Sequence, residues 1–124
     1  MKTLYTLLIL VSLLTQAWSQ NLLPMFTVSP NPICTGQTVQ VTDISQGNPT
    51  AWSYSVQPQG FGPFTPPPTT FAVQNPSFVF NQPGTYTISL IISNGNQTSP
   101  RYSQTYTGLP EPNANITPNN VTTC

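Results

Sequence analysis

Gly84-Thr85-Tyr86-Thr87-Ile88-Ser89-Leu90-Ile91-Ile92-Ser93-Asn94 is the stretch on which the fold turns. Tyr86, Ile88, Leu90 and Ile92 fall on every second residue. In an extended chain successive side chains point to opposite faces, so these four share one face and Thr87, Ser89, Ile91 and Ser93 share the other. Apolar residues at helical spacing are absent, and β-branched and aromatic residues dominate. Asn81-Gln82-Pro83-Gly84 supplies a turn before the run, and Asn94-Gly95 supplies a strong hairpin signal after it. The run is therefore a strand with one apolar face.

The same period recurs on both sides. Downstream, Gln97 to Thr107, carrying Tyr102 and Tyr106, is placed as the returning strand. Upstream, Phe78 and Phe80 alternate after Asn75-Pro76, and Trp52, Tyr54 and Val56 alternate with Ala51, Ser53 and Ser55. Val39 and Val41 alternate within Gln37 to Asp43, and Met25 to Ser29 is a short β-prone run closed by Pro30-Asn31-Pro32. Short strands separated by turn signals such as Gly47-Asn48-Pro49 predict an all-β sandwich or barrel. Val39, Val41, Trp52, Tyr54, Phe78, Phe80, Tyr86, Ile88, Leu90 and Ile92 form its expected inner layer. Gln57 to Thr70 interrupts the pattern with Pro58, Pro63, Pro66, Pro67 and Pro68. Proline has no N–H to give to a ladder, so this stretch is expected as a long loop with polyproline II character rather than a central strand.

Several of these residues resemble the PKD domain, an immunoglobulin-like antiparallel β-sandwich. Thr42-Asp43-Ile44-Ser45 is similar to the family's Thr-Asp-x-Ser. Trp52-Ser53-Tyr54-Ser55-Val56-Gln57 stands where the family has Trp-x-Trp/Phe-Asp-Phe-Gly, and Asn75-Pro76 where it has Asn-Pro. Gly84 to Asn94 resembles Gly-x-Tyr-x-Val-x-Leu-x-Val-x-Asn, the most specific match. The resemblance covers about Phe26 to Thr107 and singles out Trp52, Tyr54, Gly84, Tyr86 and Leu90 as the core signature. Ser55 and Gln57 depart from the family's Asp and Gly. The resemblance implies a spacer or interaction module, often present in tandem in secreted or cell-surface proteins.

Residues 1–19 read as a cleavable signal peptide. Lys2 gives a positive start, Leu4 to Leu14 is apolar, and Ala17-Trp18-Ser19 offers small residues where signal peptidase cuts. A spanning helix needs about 20 apolar residues, so no transmembrane segment is expected after cleavage. Residues 20–108 are assigned to the PKD-like sandwich and 109–124 to a linker or tail. Ile116-Thr117-Pro118-Asn119 echoes Val28-Ser29-Pro30-Asn31, so the tail also reads as the start of a second repeat. Cys34 and Cys124 are the only cysteines. In a secreted chain they are candidates for one disulfide tying the tail back; the repeat reading is the rival account of the same tail.

Charge is nearly absent, with two basic and two acidic residues and no histidine. Clustered Lys and Arg are what phosphate backbones require, so nucleic acid is excluded as a partner. Without His, neither a Ser-His-Asp nor a Cys-His arrangement assembles. Asp43 and Glu111, the two acids, lie in different elements, which does not suit paired-carboxylate hydrolysis. No enzyme activity and no cofactor are expected; calcium beside Asp43, helped by backbone and amide oxygens, is the one conceivable exception. Trp52 and Tyr54 are expected in the core rather than on a sugar platform. Phe61, Phe64 and Phe71 flank the proline loop outside the strand pattern, and either lie back over the sandwich edge or offer aromatic contacts to a ligand. Asn96-Gln97-Thr98, Asn115-Ile116-Thr117 and Asn120-Val121-Thr122 fit the N-glycosylation pattern. The expected role is a secreted or surface-displayed, non-catalytic spacer or adhesive module with a protein or glycan partner. The alternative is a carbohydrate-binding accessory module of a secreted hydrolase.

Overall fold

The computed structural model describes residues 21–60, 66–111 and 124. The signal-peptide reading of 1–19, the aromatics Phe61 and Phe64, the sequons at Asn115 and Asn120 and the second-repeat reading of 113–123 all lie outside the described residues.

Eight strands follow one another: β1 (Phe26–Ser29), β2 (Ile33–Cys34), β3 (Thr38–Asp43), β4 (Ala51–Gln59), β5 (Thr69–Phe71), β6 (Ser77–Val79), β7 (Gly84–Ser93) and β8 (Tyr102–Leu109). Among the described residues they make two sheets, β1-β3-β6 and β2-β8-β7-β4-β5. All pairings are antiparallel except β2 with β8.

The decisive stretch forms β7, the centre of the larger sheet. It pairs with β4 from Ala51↔Ser93 to Gln59↔Thr85 and with β8 from Gly84↔Gly108 to Leu90↔Tyr102. Its alternation is realised: Tyr86, Ile88, Leu90 and Ile92 are buried between the sheets. Ser89, on the opposite face, is also covered and exchanges a 2.9 Å hydrogen bond with Ser103 of β8. Gly84 opens the strand at φ 145°, a value that side chains of L-residues rarely adopt.

The rest of the interior comes from Phe26, Val39, Val41, Tyr54, Val56 and Phe80, with Leu22 and Ile33 at its two ends. Phe26 packs edge-on against Tyr54 and Tyr102, and Phe80 stacks on Tyr86 with centroids 3.8 Å apart. Trp52 and Phe78 were expected in the inner layer and are found half-buried at its rim. For Trp52 the reason is polar: the indole N–H needs an acceptor, which it finds at the sandwich edge.

Two stretches depart from the sequence reading. The segment after Val56 is not all loop, because β4 runs through Pro58 to Gln59 and β5 begins at Thr69. β5 pairs only with Tyr54, Ser55 and Val56. Beyond Val56 no described strand flanks β4 on that side, and a missing N–H there breaks no described ladder. The return from Asn94-Gly95 is delayed in the opposite sense. Asn94 Oδ1 accepts the N–H groups of Asn96 and Gln97 to close the turn, but β8 begins only at Tyr102. Ser99 bridges the interval, its Oγ accepting the Ile92 N–H at 3.0 Å and donating to the Pro100 carbonyl.

The strand directions fix two ends. Leu23 pairs with Gln46, and the β3–β4 connection and the Asn94 turn lie at the same end, called here the Asp43 end. Cys34, Gly84 and Leu109 meet at the other, the Cys34 end, where Cys34 pairs with Leu109 and Gly84 with Gly108.

Candidate functional site

At the Asp43 end, the residues of the three short motifs converge on one carboxylate. Asp43 terminates β3 and points toward β4. Its Oδ2 accepts the Trp52 indole N–H at 2.8 Å and the Gln74 amide at 3.2 Å, while Oδ1 accepts the Ser45 N–H at 3.1 Å. The Asp43 N–H in turn donates to Asn75 Oδ1 at 2.8 Å. Ser45 closes the corner by exchanging hydrogen bonds with the Met25 backbone. Pro76, also buried, offers its carbonyl to the Val41 N–H at 2.9 Å.

The cluster ties β3 to β4 and to the 72–76 connection, so it bridges the two sheets. Tyr54 belongs to it as well, donating its hydroxyl to the Gln74 carbonyl at 3.1 Å. Burial, reinforced by the Asp43 carboxylate, pushes the Tyr54 hydroxyl well above its ordinary value. Both carboxylate oxygens of Asp43 are thus engaged by protein donors, a brace rather than an open ligand set for calcium. Among the described residues no group of three or more His, Cys, Asp or Glu side chains stands together. Gln74 is the member that sequence reasoning missed, since it carries no periodic or motif signal.

A second feature lies along the side of the sandwich where β5 and β6 are the sheet edges. A cleft of about 560 Å³ opens there, lined by Val56, Pro58, Pro66, Pro67, Phe71, Phe78, Phe80 and Tyr86, with Thr69, Asn81 and Gln82 contributing polar groups. Among the described residues no charged side chain lines it. Phe71, one of the aromatics read as either lying back over the sandwich edge or contacting a ligand, is half-buried in this wall and stacks on Phe78 at 5.6 Å and 24°. Phe80 and Tyr86 are fixed behind it by their own stacking and by the Tyr86 hydroxyl, which donates to the Gln82 carbonyl at 2.7 Å. The cleft is of a size that holds small organic ligands, and its walls favour an uncharged one.

The core-signature residues are structural in position. Tyr54, Tyr86 and Leu90 are buried, Gly84 is at the start of β7, and Trp52 is in the Asp43 brace. Cys34 and Cys124 are joined as a disulfide with Cα atoms 5.7 Å apart. The bond brings the last residue of the sequence beside the point where β8 ends.

No helix among the described residues is long and apolar enough to cross a membrane. The family model described as the PKD domain matches residues 25–102. Among solved structures the chain is similar to a protein reported as a computer-based redesign of a β-sandwich, at 24% identity and a TM-score of 0.52, covering 68% of this chain and 92% of that one. At that identity the likeness concerns fold alone. None of the curated proteins compared matches the chain.

Proposed function

The chain belongs to the PKD domain family, a non-catalytic β-sandwich type, and from that premise we propose that it works outside the cell as a spacer or protein-contact module of a secreted or surface-displayed protein. The observation that carries this reading is the placement of its ends. The described chain starts at the Asp43 end with Leu22 and Leu23, and both Leu109 and Cys124 are at the Cys34 end. A module traversed from end to end separates whatever is held at its two ends by its own length. The ten residues of β7 set that length at about 33 Å. The disulfide supports an oxidising compartment, and the near absence of charge suits display among polar, uncharged surroundings. Tandem fusion of two copies tests the spacer role by small-angle scattering. The maximum dimension should grow by about one module length on going from one copy to two; a folded-back pair with little added length would overturn it.

A second reading draws on the cleft. Its uncharged aromatic and amide walls suit a neutral saccharide, which would make the module a carbohydrate-binding accessory. Retention on insoluble polysaccharides, lost on Phe71→Ala with the fold intact by circular dichroism, would favour this role. An absence of retention across a broad polysaccharide panel would reject it.

A further inference from the structure

The Cys34–Cys124 bond closes a loop over a sequence separation of 90 that contains β3 to β8. Among the described residues, β1 and the start of β2 stand ahead of it. Tension that reaches the chain through Asn21 and leaves through Cys124 has a covalent route: along β1, through Pro30 and Pro32 to Cys34, and across the sulfur bridge. Of the larger sheet only the two-residue β2 is on that route; the long β4, β7 and β8 ladders are not.

We propose that the disulfide makes this module a tether of limited extension, in which β1 and the residues up to Cys34 yield under tension while the strands from β3 to β8 are bypassed. β1 is suited to yielding. It is an edge strand whose one ladder partner is β3, through the four pairs from Phe26↔Asp43 to Ser29↔Gln40. The Leu23–Gln46 bridge and the Met25–Ser45 bonds add to its hold, all at the end where the pull enters. Its anchor in the core is Phe26, set against Tyr54, Tyr102 and Tyr106. The route from Asn21 to Cys34 has a contour of about 45 Å, which caps the extension as long as the bond is closed. Opening the bond places the whole 90-residue loop under load and adds about 300 Å of contour.

The inference deepens the spacer reading and rests on it for its biological meaning, yet its test is independent of any partner. The chain from Gln20 to Cys124, as signal cleavage would leave it, is held by handles at its two ends in an optical trap and stretched with and without reductant. The oxidised chain should show only a short event within the reach of Asn21 to Cys34. The reduced chain and the Cys124→Ser variant should each show a further release of about 300 Å. Phe26→Ala should lower the force of the short event in the oxidised chain. A release of about 300 Å without reductant overturns the proposal, as does a short event whose force ignores Phe26→Ala. Scattering from the tandem fusion separately decides the spacer role, so the two failures are distinguishable.

Discussion

Asp43 shows how one acid can serve the fold by accepting hydrogen bonds rather than by taking part in a reaction. It stands within reach of Trp52, Gln74 and Ser45, and its lone pairs go to their N–H groups. Hydrogen bonds to a charged group contribute about 1.5–3 kcal/mol each when partly shielded. Asp43→Ala should lower stability by about 2–3 kcal/mol, and Trp52→Phe by about 1–2 kcal/mol. Because the two share a bond, the double variant should lose less than the sum, with a coupling of about 1 kcal/mol in urea denaturation. Strict additivity would show that the bond contributes nothing. Tyr54 gives a pH signature on the same corner. Its folded hydroxyl titrates above the unfolded value of about 10, chiefly through burial. Below pH 10 the group is neutral in both states and its contribution is complete. Above pH 10 the unfolded chain releases the proton and the folded chain holds it, so stability falls by about 1.4 kcal/mol per pH unit until the folded group also ionises. Tyr54→Phe should flatten that alkaline slope. The sequence displayed Asp43, Ser45, Trp52 and Asn75 as motif residues. Gln74 was invisible because its place depends on how the 72–76 connection folds back toward β3.

At the scale of the element, β7 was the most legible part of the molecule because a half-buried strand writes its own period into the sequence. Its inward side chains meet both sheets, so truncation there leaves a cavity with little room to relax. Leu90→Ala should cost about 3–4 kcal/mol, and Thr87→Ala, on the other face, less than about 1 kcal/mol. Equal losses at both positions, measured by chemical denaturation, would contradict the assigned faces. β4 is legible in the sequence up to Val56, and its continuation to Gln59 departs from the loop expected there. Proline excludes a strand only where both neighbours demand hydrogen bonds, and which flank is open is a property of the sheet, not of the local sequence. The delay of β8 has a similar origin. Ser99 replaces a ladder partner with its side chain, a substitution that periodicity does not register. β2, two residues long, owes its existence to the parallel contact with the end of β8, and no local signal announces so short a pairing.

For the whole molecule, the pairing of the two cysteines was open in the sequence because spacing alone does not set the distance between Cα atoms. The topology sets it. β2 lies against the end of β8, with Cys34 paired to Leu109, and Cys124 is bonded to Cys34 with Cα atoms 5.7 Å apart. The consequence for stability is chiefly in the unfolded state. Closing a loop of this size removes chain entropy worth about 4–5 kcal/mol in the loop-closure model. Replacing both cysteines with serine should therefore lower the unfolding free energy by up to about 4–5 kcal/mol, with the strands unchanged by circular dichroism. Such a loss matters more here than in a larger protein, because a sandwich of this size retains only about 5–15 kcal/mol in total. A doubly substituted chain as stable as the oxidised one would show that the bond constrains little in the unfolded ensemble. A chain that loses its β-signature would show instead that the tail helps to specify the native packing at the Cys34 end. The first of these results leaves the mechanical role of the bond intact, since a load route is set by connectivity and not by equilibrium stability.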